Sequence, residues 1–243
     1  MITKIENALN RNQLEILLNM AKDIPRKRVH GDEEARRQKN TVFDNSTWPG
    51  SHHVSVIDRA FIKETIWSSD AGNNLSATTA EKVTCGEFNP IFNTVARYDQ
   101  DDYYDWHLDL LSTGHGTVVN IAFTIFLNDP CEYDGGEFEI KHEHGVSLFK
   151  EPAGTILFYP TGYLHRVNTI TSGHRFVSLG LLDCLVSSPQ DRYILTEMSD
   201  CISSLNDISQ SLDNTATDTT ILDDINHRLH AIQMRLTSRY SNR

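Results

Sequence analysis

The chain has 243 residues, enough for one large domain or two small ones. Hydrophobic residues make up 39% and charged residues 23%, the balance of a folded globular protein rather than of a disordered tail or a fibre. Acidic residues outnumber basic ones 33 to 22, for a formal charge of −11, which disfavours nucleic acid as the main partner because phosphate backbones are repelled.

The opening Met1-Ile2-Thr3-Lys4-Ile5-Glu6 lacks the apolar core of an export signal, and no apolar run reaches the ~20 residues that span a bilayer. A cytoplasmic, membrane-free chain is therefore expected. Cys85, Cys131, Cys184 and Cys201 show no CxxC spacing and read as reduced thiols, mostly small core residues. Next, Ile5, Leu9, Leu14, Leu17, Leu18 and Ala21 recur at helical spacing until Pro25, predicting an N-terminal helix. The charged stretch Arg26–Lys39 reads as a solvated loop or a lid. A second helix is expected near Ile57–Trp67, and Asp70–Asn74 as a turn.

From Val83 to Leu185 the pattern changes to short strands broken by Asp, Asn, Gly and Pro. The predicted strands are Phe92–Tyr98, Tyr104–Leu110, Val118–Leu127, Gly136–Ile140, Val146–Phe149, Thr155–Tyr159, His165–Thr169 and Phe176–Leu182. About eight strands without crossover helices suggest a double-sheet jelly roll or a barrel. A helix is predicted over Gln190–Leu205, then a polar linker over Asp213–Thr220. The last helix, Ile221–Tyr240, carries Ile221, Leu222, Ile225, Leu229, Ile232 and Leu236 on one stripe, which suits either a homodimer or packing on its own domain. The organisation expected is thus an N-terminal helical and loop segment over 1–80, a β core over 81–188 and C-terminal helices over 189–243.

His107 and Asp109 stand at i and i+2, so in a strand both side chains point to one face. His165 can add a third metal ligand from another strand. Two imidazoles and one carboxylate on one side of a metal form the facial triad of non-haem iron(II) oxygenases, which leaves open positions for reactants. Ten residues after His165, Arg175 opens an apolar strand, where its guanidinium can grip a carboxylate through two parallel hydrogen bonds. A cosubstrate such as 2-oxoglutarate fits this need. Elsewhere, His142 and His144 read as a surface loop, and His227 and His230 as a solvated helix face. His115, in Ser112–Gly116, reads as a turn near the site, while His52 and His53 cannot share a metal if extended. Trp106 and His174 should face away from their functional neighbours. On the strand Val118–Leu127, Asn120, Ala122, Thr124 and Phe126 should line the interior.

Tyr98, Tyr104, His107, Asp109, His165 and Arg175 together resemble the prolyl-4-hydroxylase-like branch of the Fe(II)/2-oxoglutarate dioxygenases. So do Thr124-Ile125-Phe126-Leu127-Asn128, Tyr133-Asp134-Gly135-Gly136-Glu137-Phe138, Pro152-Ala153-Gly154, Leu157-Phe158-Tyr159-Pro160 and Leu164-His165-Arg166-Val167. Order and spacing look especially like the bacterial PKHD-type hydroxylases, over about Phe92–Leu205. The resemblance implies a mainly β fold with flanking helices and a double-stranded β-helix (jelly-roll) core. It implies iron on His107, Asp109 and His165, and 2-oxoglutarate on Arg175 with Tyr98 and Tyr104 lining its pocket. Ascorbate is a further candidate cofactor. Asp109 stands where halogenating relatives carry Gly or Ala, which favours hydroxylation. The implied reaction is O2-dependent hydroxylation of an unactivated C–H bond, with 2-oxoglutarate converted to succinate and CO2. The substrate class is an amino-acid side chain, proline first, in a peptide, a protein or the free amino acid.

Three features depart from the family pattern. Asp99-Gln100-Asp101-Asp102 replaces a glycine-containing loop and suggests an acidic rim that would favour a cationic partner. Val177 occupies the position of a small hydroxyl residue, and Arg26–Lys39 has no counterpart. The rival readings are an oxygenase acting on another small metabolite and a non-catalytic, cupin-like metal-binding module.

Overall fold

The computed structural model describes residues 2–23, 65–67, 88–109, 119–211 and 218–240. Arg26–Lys39, the turn at Asp70–Asn74, Cys85, His52, His53 and His115 lie outside the described residues, as does all of the second predicted helix except the helical residues 65–67. The described residues divide into two compact units: Phe88 with everything from Cys184 onward, and the remainder from Ile2 to Asp183.

Within the larger unit, the first segment is a strand rather than the start of a helix. Strand β1 (Thr3–Ile5) pairs antiparallel with β8 (Ile156–Pro160), placing Lys4 opposite Leu157. The helix α1 (Arg11–Asp23) begins only where Asn10 supplies a cap. The Asn10 Oδ1 accepts from the Gln13 amide at 2.9 Å, and Gln13 Oε1 accepts from the Asn10 amide at 2.9 Å, a reciprocal box that satisfies two orphan donors. The four-residue spacing of Ile5 and Leu9 imitates a helix across this boundary. The chain turns there, with Asn7 at φ 54°.

The remaining strands are β2 (Phe88–Tyr98), β3 (Tyr104–His107), β4 (Ile121–Phe126), β5 (Tyr133–Gly135), β6 (Phe138–His142), β7 (Gly145–Phe149), β9 (His165–Val167), β10 (Ile170–Gly173) and β11 (Arg175–Cys184). They build a five-stranded sheet in the order β1-β8-β4-β11-β2, a four-stranded sheet in the order β3-β9-β6-β7, and a β10-β5 pair. Sequentially distant strands lie side by side, as in a jelly roll, and this is the core architecture. Ala96, Tyr98, Ala122, Phe126, Leu157, Tyr159, Val177 and Leu181 from the larger sheet pack with Phe138, Ile140 and Val167 from the smaller one. The opposite face of β4 is also buried, since Phe123 meets the edge of Trp67 at 5.2 Å. That double burial explains why every residue of β4 is apolar or enclosed and why the strand shows no alternation.

Strands β5 and β10 correct the sequence reading, which takes Asp134-Gly135-Gly136 as a break between strands and leaves 170–173 unassigned. Ile170 stands opposite Gly135 and Gly173 opposite Tyr133, and Ser172 Oγ donates to Asp134 Oδ2 at 2.7 Å, so the pair is held by backbone and polar groups that apolar patterning does not signal.

In the smaller unit, α2 (Pro189–Ser211) and α3 (Asp218–Ser238) form a helical pair. The seam of α3 uses Leu222, Asn226, Leu229, Gln233 and Leu236, whereas Ile221, Ile225 and Ile232 of the predicted stripe are exposed. Polar residues hold this seam: Asn226 donates to Asn206 Oδ1 at 2.6 Å and Gln233 to Ser199 Oγ at 2.7 Å. Among the described residues no helix is long and apolar enough to cross a membrane. The thiols also depart from expectation, because among the described residues Cys131 and Cys201 are exposed and Cys184 alone is buried.

Candidate active site

All the site residues described below belong to the larger unit. Strand β3 ends at His107, so Asp109 follows the strand instead of continuing it, and alternation along one strand does not account for its position. What brings the groups together is sheet register: β3 pairs antiparallel with β9, which sets His107 opposite His165. Their ring centroids are 4.2 Å apart, and Asp109 Oδ2 is 3.6 Å from His165 Nε2. One ligand atom from each of His107, Asp109 and His165 lies within 4.8 Å of the others.

Each imidazole is tied down on its far side. The Nδ1 of His107 bonds the carbonyl of Asp105 at 2.7 Å, and Nδ1 of His165 bonds the carbonyl of Tyr163 at 2.9 Å. A carbonyl accepts only, so both Nδ1 atoms carry the proton and both Nε2 atoms present lone pairs. Burial lowers both histidines from 6.5 to about 4; for His107 the nearby His165 adds to the effect. Burial also raises Asp109 from 3.8 to about 6, with His107 and Tyr159 pulling it back down. At neutral pH the set is therefore two neutral imidazoles and one carboxylate, not an ion pair. The Oδ2 of Asp109 is buried without a hydrogen-bond partner. An orphaned carboxylate oxygen facing two imidazole lone pairs is a donor set that fits a divalent metal.

Arg175 is the largest fully buried side chain described, at 1% exposure. Its guanidinium lies 5.1 Å from the Tyr98 ring centroid and 5.6 Å from that of Phe126, and its Nε has no hydrogen-bond partner. Among the described residues no carboxylate pairs with it. A buried cation without an acid is costly, and the natural remedy is an anionic ligand. Tyr159 links this cation to the triad. It packs on His165 at 5.1 Å, and its wholly buried hydroxyl, raised well above the ordinary range mainly by burial, interacts electrostatically with both Asp109 and Arg175. Tyr98 ends β2 and Tyr104 opens β3, so a reversal separates the two, and they do not share one strand-like segment. The Tyr104 ring nevertheless stacks on His107 at 3.7 Å, and burial pushes its hydroxyl up to about 12.

The acidic loop is not a rim. Asp99 and Asp102 are buried, Asp102 accepts from the Asp99 amide at 2.7 Å, and Asp99 pairs with Arg97 at 2.8 Å and meets His174 Nδ1. Only Gln100 and Asp101 of this loop are exposed, which leaves a single carboxylate facing solvent where four residues of acidic rim were expected. Trp106 is exposed, and Arg166 lies over its ring at 4.7 Å. His142 bonds Ser147 in the β6–β7 hairpin, and His227 and His230 are solvated. Sequence reasoning gave no individual role to Tyr159 or Tyr133. Alternation from Leu157 on β8 was the available sign that Tyr159 faces inward.

Comparison with known proteins agrees with this geometry. The family described as "2OG-Fe(II) oxygenase superfamily" matches residues 93–182. A PKHD-type hydroxylase of Paraburkholderia phytofirmans is 31% identical over 212 residues, covering 85% of this chain and 88% of the relative. A PKHD-type hydroxylase of Acinetobacter baumannii is 29% identical over 213 residues, covering 84% and 88%. Among solved structures, AviO1 from Streptomyces viridochromogenes gives a TM-score of 0.51 at 14% identity over 77% of this chain and 91% of that one. The α-ketoglutarate-dependent epimerase SnoN gives 0.52 at 12% identity, covering 76% of each. At those identities the likeness is one of fold. The extent of the match to the hydroxylases goes further, and the chain belongs to the PKHD-type hydroxylases, enzymes of the 2OG-Fe(II) oxygenase superfamily.

Proposed function

We propose that this enzyme hydroxylates an unactivated C–H bond of an amino-acid side chain, proline first, in a peptide, a protein or the free amino acid. In this reading His107, Asp109 and His165 hold Fe(II), and Arg175 holds the distal carboxylate of 2-oxoglutarate between Tyr98 and Tyr104. The observation that carries it is a buried guanidinium with no acid partner, linked through Tyr159 to a three-donor cluster. Bound iron supplies the oxygen chemistry, in which O2 and 2-oxoglutarate are consumed and succinate and CO2 are released.

The chain's own residues do the positioning. The carbonyls of Asp105 and Tyr163 keep both imidazoles in the ligating tautomer. Arg175 fixes one end of the cosubstrate, and Tyr104, stacked on His107, shields the ligand from water. The likeness to PKHD-type hydroxylases supports hydroxylation over other outcomes. Exposed thiols at Cys131 and Cys201 suit a reducing compartment, in keeping with a cytoplasmic enzyme.

The deciding experiment incubates the protein with Fe(II), 2-oxoglutarate, ascorbate and candidate amino acids or proline-containing peptides. Succinate and a mass gain of one oxygen on the substrate are measured together. The expected result is stoichiometric gain of both with one substrate class. Succinate formation that no amino-acid or peptide substrate stimulates would assign the enzyme to another small metabolite.

A further inference from the structure

The helical pair carries an apolar face outside its own seam. On α2 the seam runs through Leu195, Ile202 and Ser209, and on α3 through Leu222, Asn226 and Gln233, all buried or half-buried. The residue just before each of these is aliphatic or a thiol and is exposed: Ile194, Cys201 and Ile208 on α2, Ile221, Ile225 and Ile232 on α3. The five isoleucines are 40–58% exposed. One step back along a helix turns about 100°. The bonds from Asn226 to Asn206 and from Gln233 to Ser199 make the helices antiparallel, so seen from one end they wind in opposite senses. Both stripes therefore turn to the same side of the pair. The other side carries Ser203, Asp207, Asp223, His230 and, as an apolar exception, Met234.

A contiguous exposed apolar face marks an interaction surface, and the charges on its borders select what covers it. Glu197 stands three residues after Ile194, and Arg228 and Arg235 stand three after Ile225 and Ile232, each on the border away from the seam. The helix α2 exposes Glu197, Asp200 and Asp207, while its arginine, Arg192, is buried and donates to the carbonyls of Val186 at 2.8 Å and Ser187 at 3.0 Å. The second half of α3 exposes Arg228, Arg235 and Arg239. Because Ser199 stands level with Gln233, Glu197 stands level with Arg235, and Cys201 and Ile208 fall within a residue of Ile232 and Ile225.

We infer that a second copy of this chain covers the face, related by a twofold axis parallel to the helices, so that two helical pairs close into a four-helix bundle. That axis lays each α2 antiparallel on the partner's α3 at the same level. Ile208 then meets the partner's Ile225, Cys201 meets the partner's Ile232 and Glu197 meets the partner's Arg235, each contact occurring twice. A twofold axis across the helices would instead lay α2 on α2 and bring two acidic borders together. The seven-residue steps Ile194–Cys201–Ile208 and Ile225–Ile232 are the spacing of interdigitating helices. Helices of 23 and 21 residues present roughly 600 Å² on each copy, about 1,200 Å² in total, which reaches the lower end of specific interfaces.

The test is analytical ultracentrifugation of the full chain over a concentration series up to ~100 μM. Wild type should sediment as a dimer at the upper concentrations. Ile232→Lys should be monomeric with unchanged far-UV circular dichroism, since the side chain it replaces is already exposed. Glu197→Arg and Arg235→Glu should each weaken the dimer ~10-fold or more by setting like charges face to face. The double variant Glu197→Arg/Arg235→Glu should regain wild-type association, a rescue that misfolding cannot imitate. A wild-type monomer at ~100 μM would leave the face to a different protein and overturn the inference. A dimer indifferent to Ile232→Lys, or a charge exchange that fails to rescue, overturns it equally.

Discussion

At the residue scale, burial decides which protons compete with a metal. Asp109 titrates at about 6 and the two histidines at about 4 in the metal-free protein, so a proton reaches the carboxylate first. Metal affinity should be level above pH ~6, fall about tenfold per unit below it, and fall more steeply once the imidazoles charge near 4. Titration with Mn(II) between pH 7 and 5 checks this, and a flat response would mean that Asp109 is not a ligand. The same residue gives a sharper test. Asp109→Ala and His107→Ala should each abolish succinate formation, whereas Arg175→Ala should leave Mn(II) binding intact and weaken 2-oxoglutarate by ~100-fold, because the carboxylate loses a charged partner in a dry pocket.

At the element scale, the ladder between β11 and β4 is extended to Arg175 by one side chain at the end of β4. Asn128, just after β4, donates to the His174 carbonyl at 2.8 Å and accepts from the Phe176 amide at 2.9 Å, bracketing Arg175 on both sides. Asn128→Ala strands a buried amide and should lower stability by about 1–3 kcal/mol. It should also raise the KM for 2-oxoglutarate while metal binding persists, a split that steady-state kinetics with parallel Mn(II) titration would reveal. This device was hidden in the sequence, where Asn128-Asp129-Pro130 reads simply as a turn. The ligands were legible for the opposite reason: His107, Asp109, His165 and Arg175 are polar groups at the edges of apolar strands, where core packing gives them no purpose. The strands themselves were readable wherever they bury side chains. β5 and β10 are joined by their backbone ladder and one polar side-chain bond, Ser172 to Asp134, which leave no apolar pattern, and the seam of α3 was misread because Asn226 and Gln233 stand where apolar residues were expected. Tyr159 drew no individual role, since a sequence does not say which buried hydroxyl lies between two functional groups.

For the molecule as a whole, the helical pair is a separate compact unit with its own small core. Val186, Leu195 and Tyr240 are its buried centre, and the Tyr240 hydroxyl bonds Asp191 across the turn of the chain. Leu195→Ala removes the largest aliphatic group of that core and should destabilise the protein by about 2–5 kcal/mol in chemical denaturation. A change below about 0.5 kcal/mol would show that this core adds little to folding. The carbonyl clamps on His107 and His165 bear on how the enzyme lives among the cations of a cell. Each clamp spans only two residues of chain, so ring orientation is set locally before any ion arrives. Two imidazoles and one carboxylate are donors that every late first-row divalent ion accepts, and nickel, copper or zinc would bind them more tightly than iron by the intrinsic order of affinities. Which ion occupies the enzyme is then decided by supply, and a cell starved of iron or flooded with zinc would silence it without altering a single fold contact.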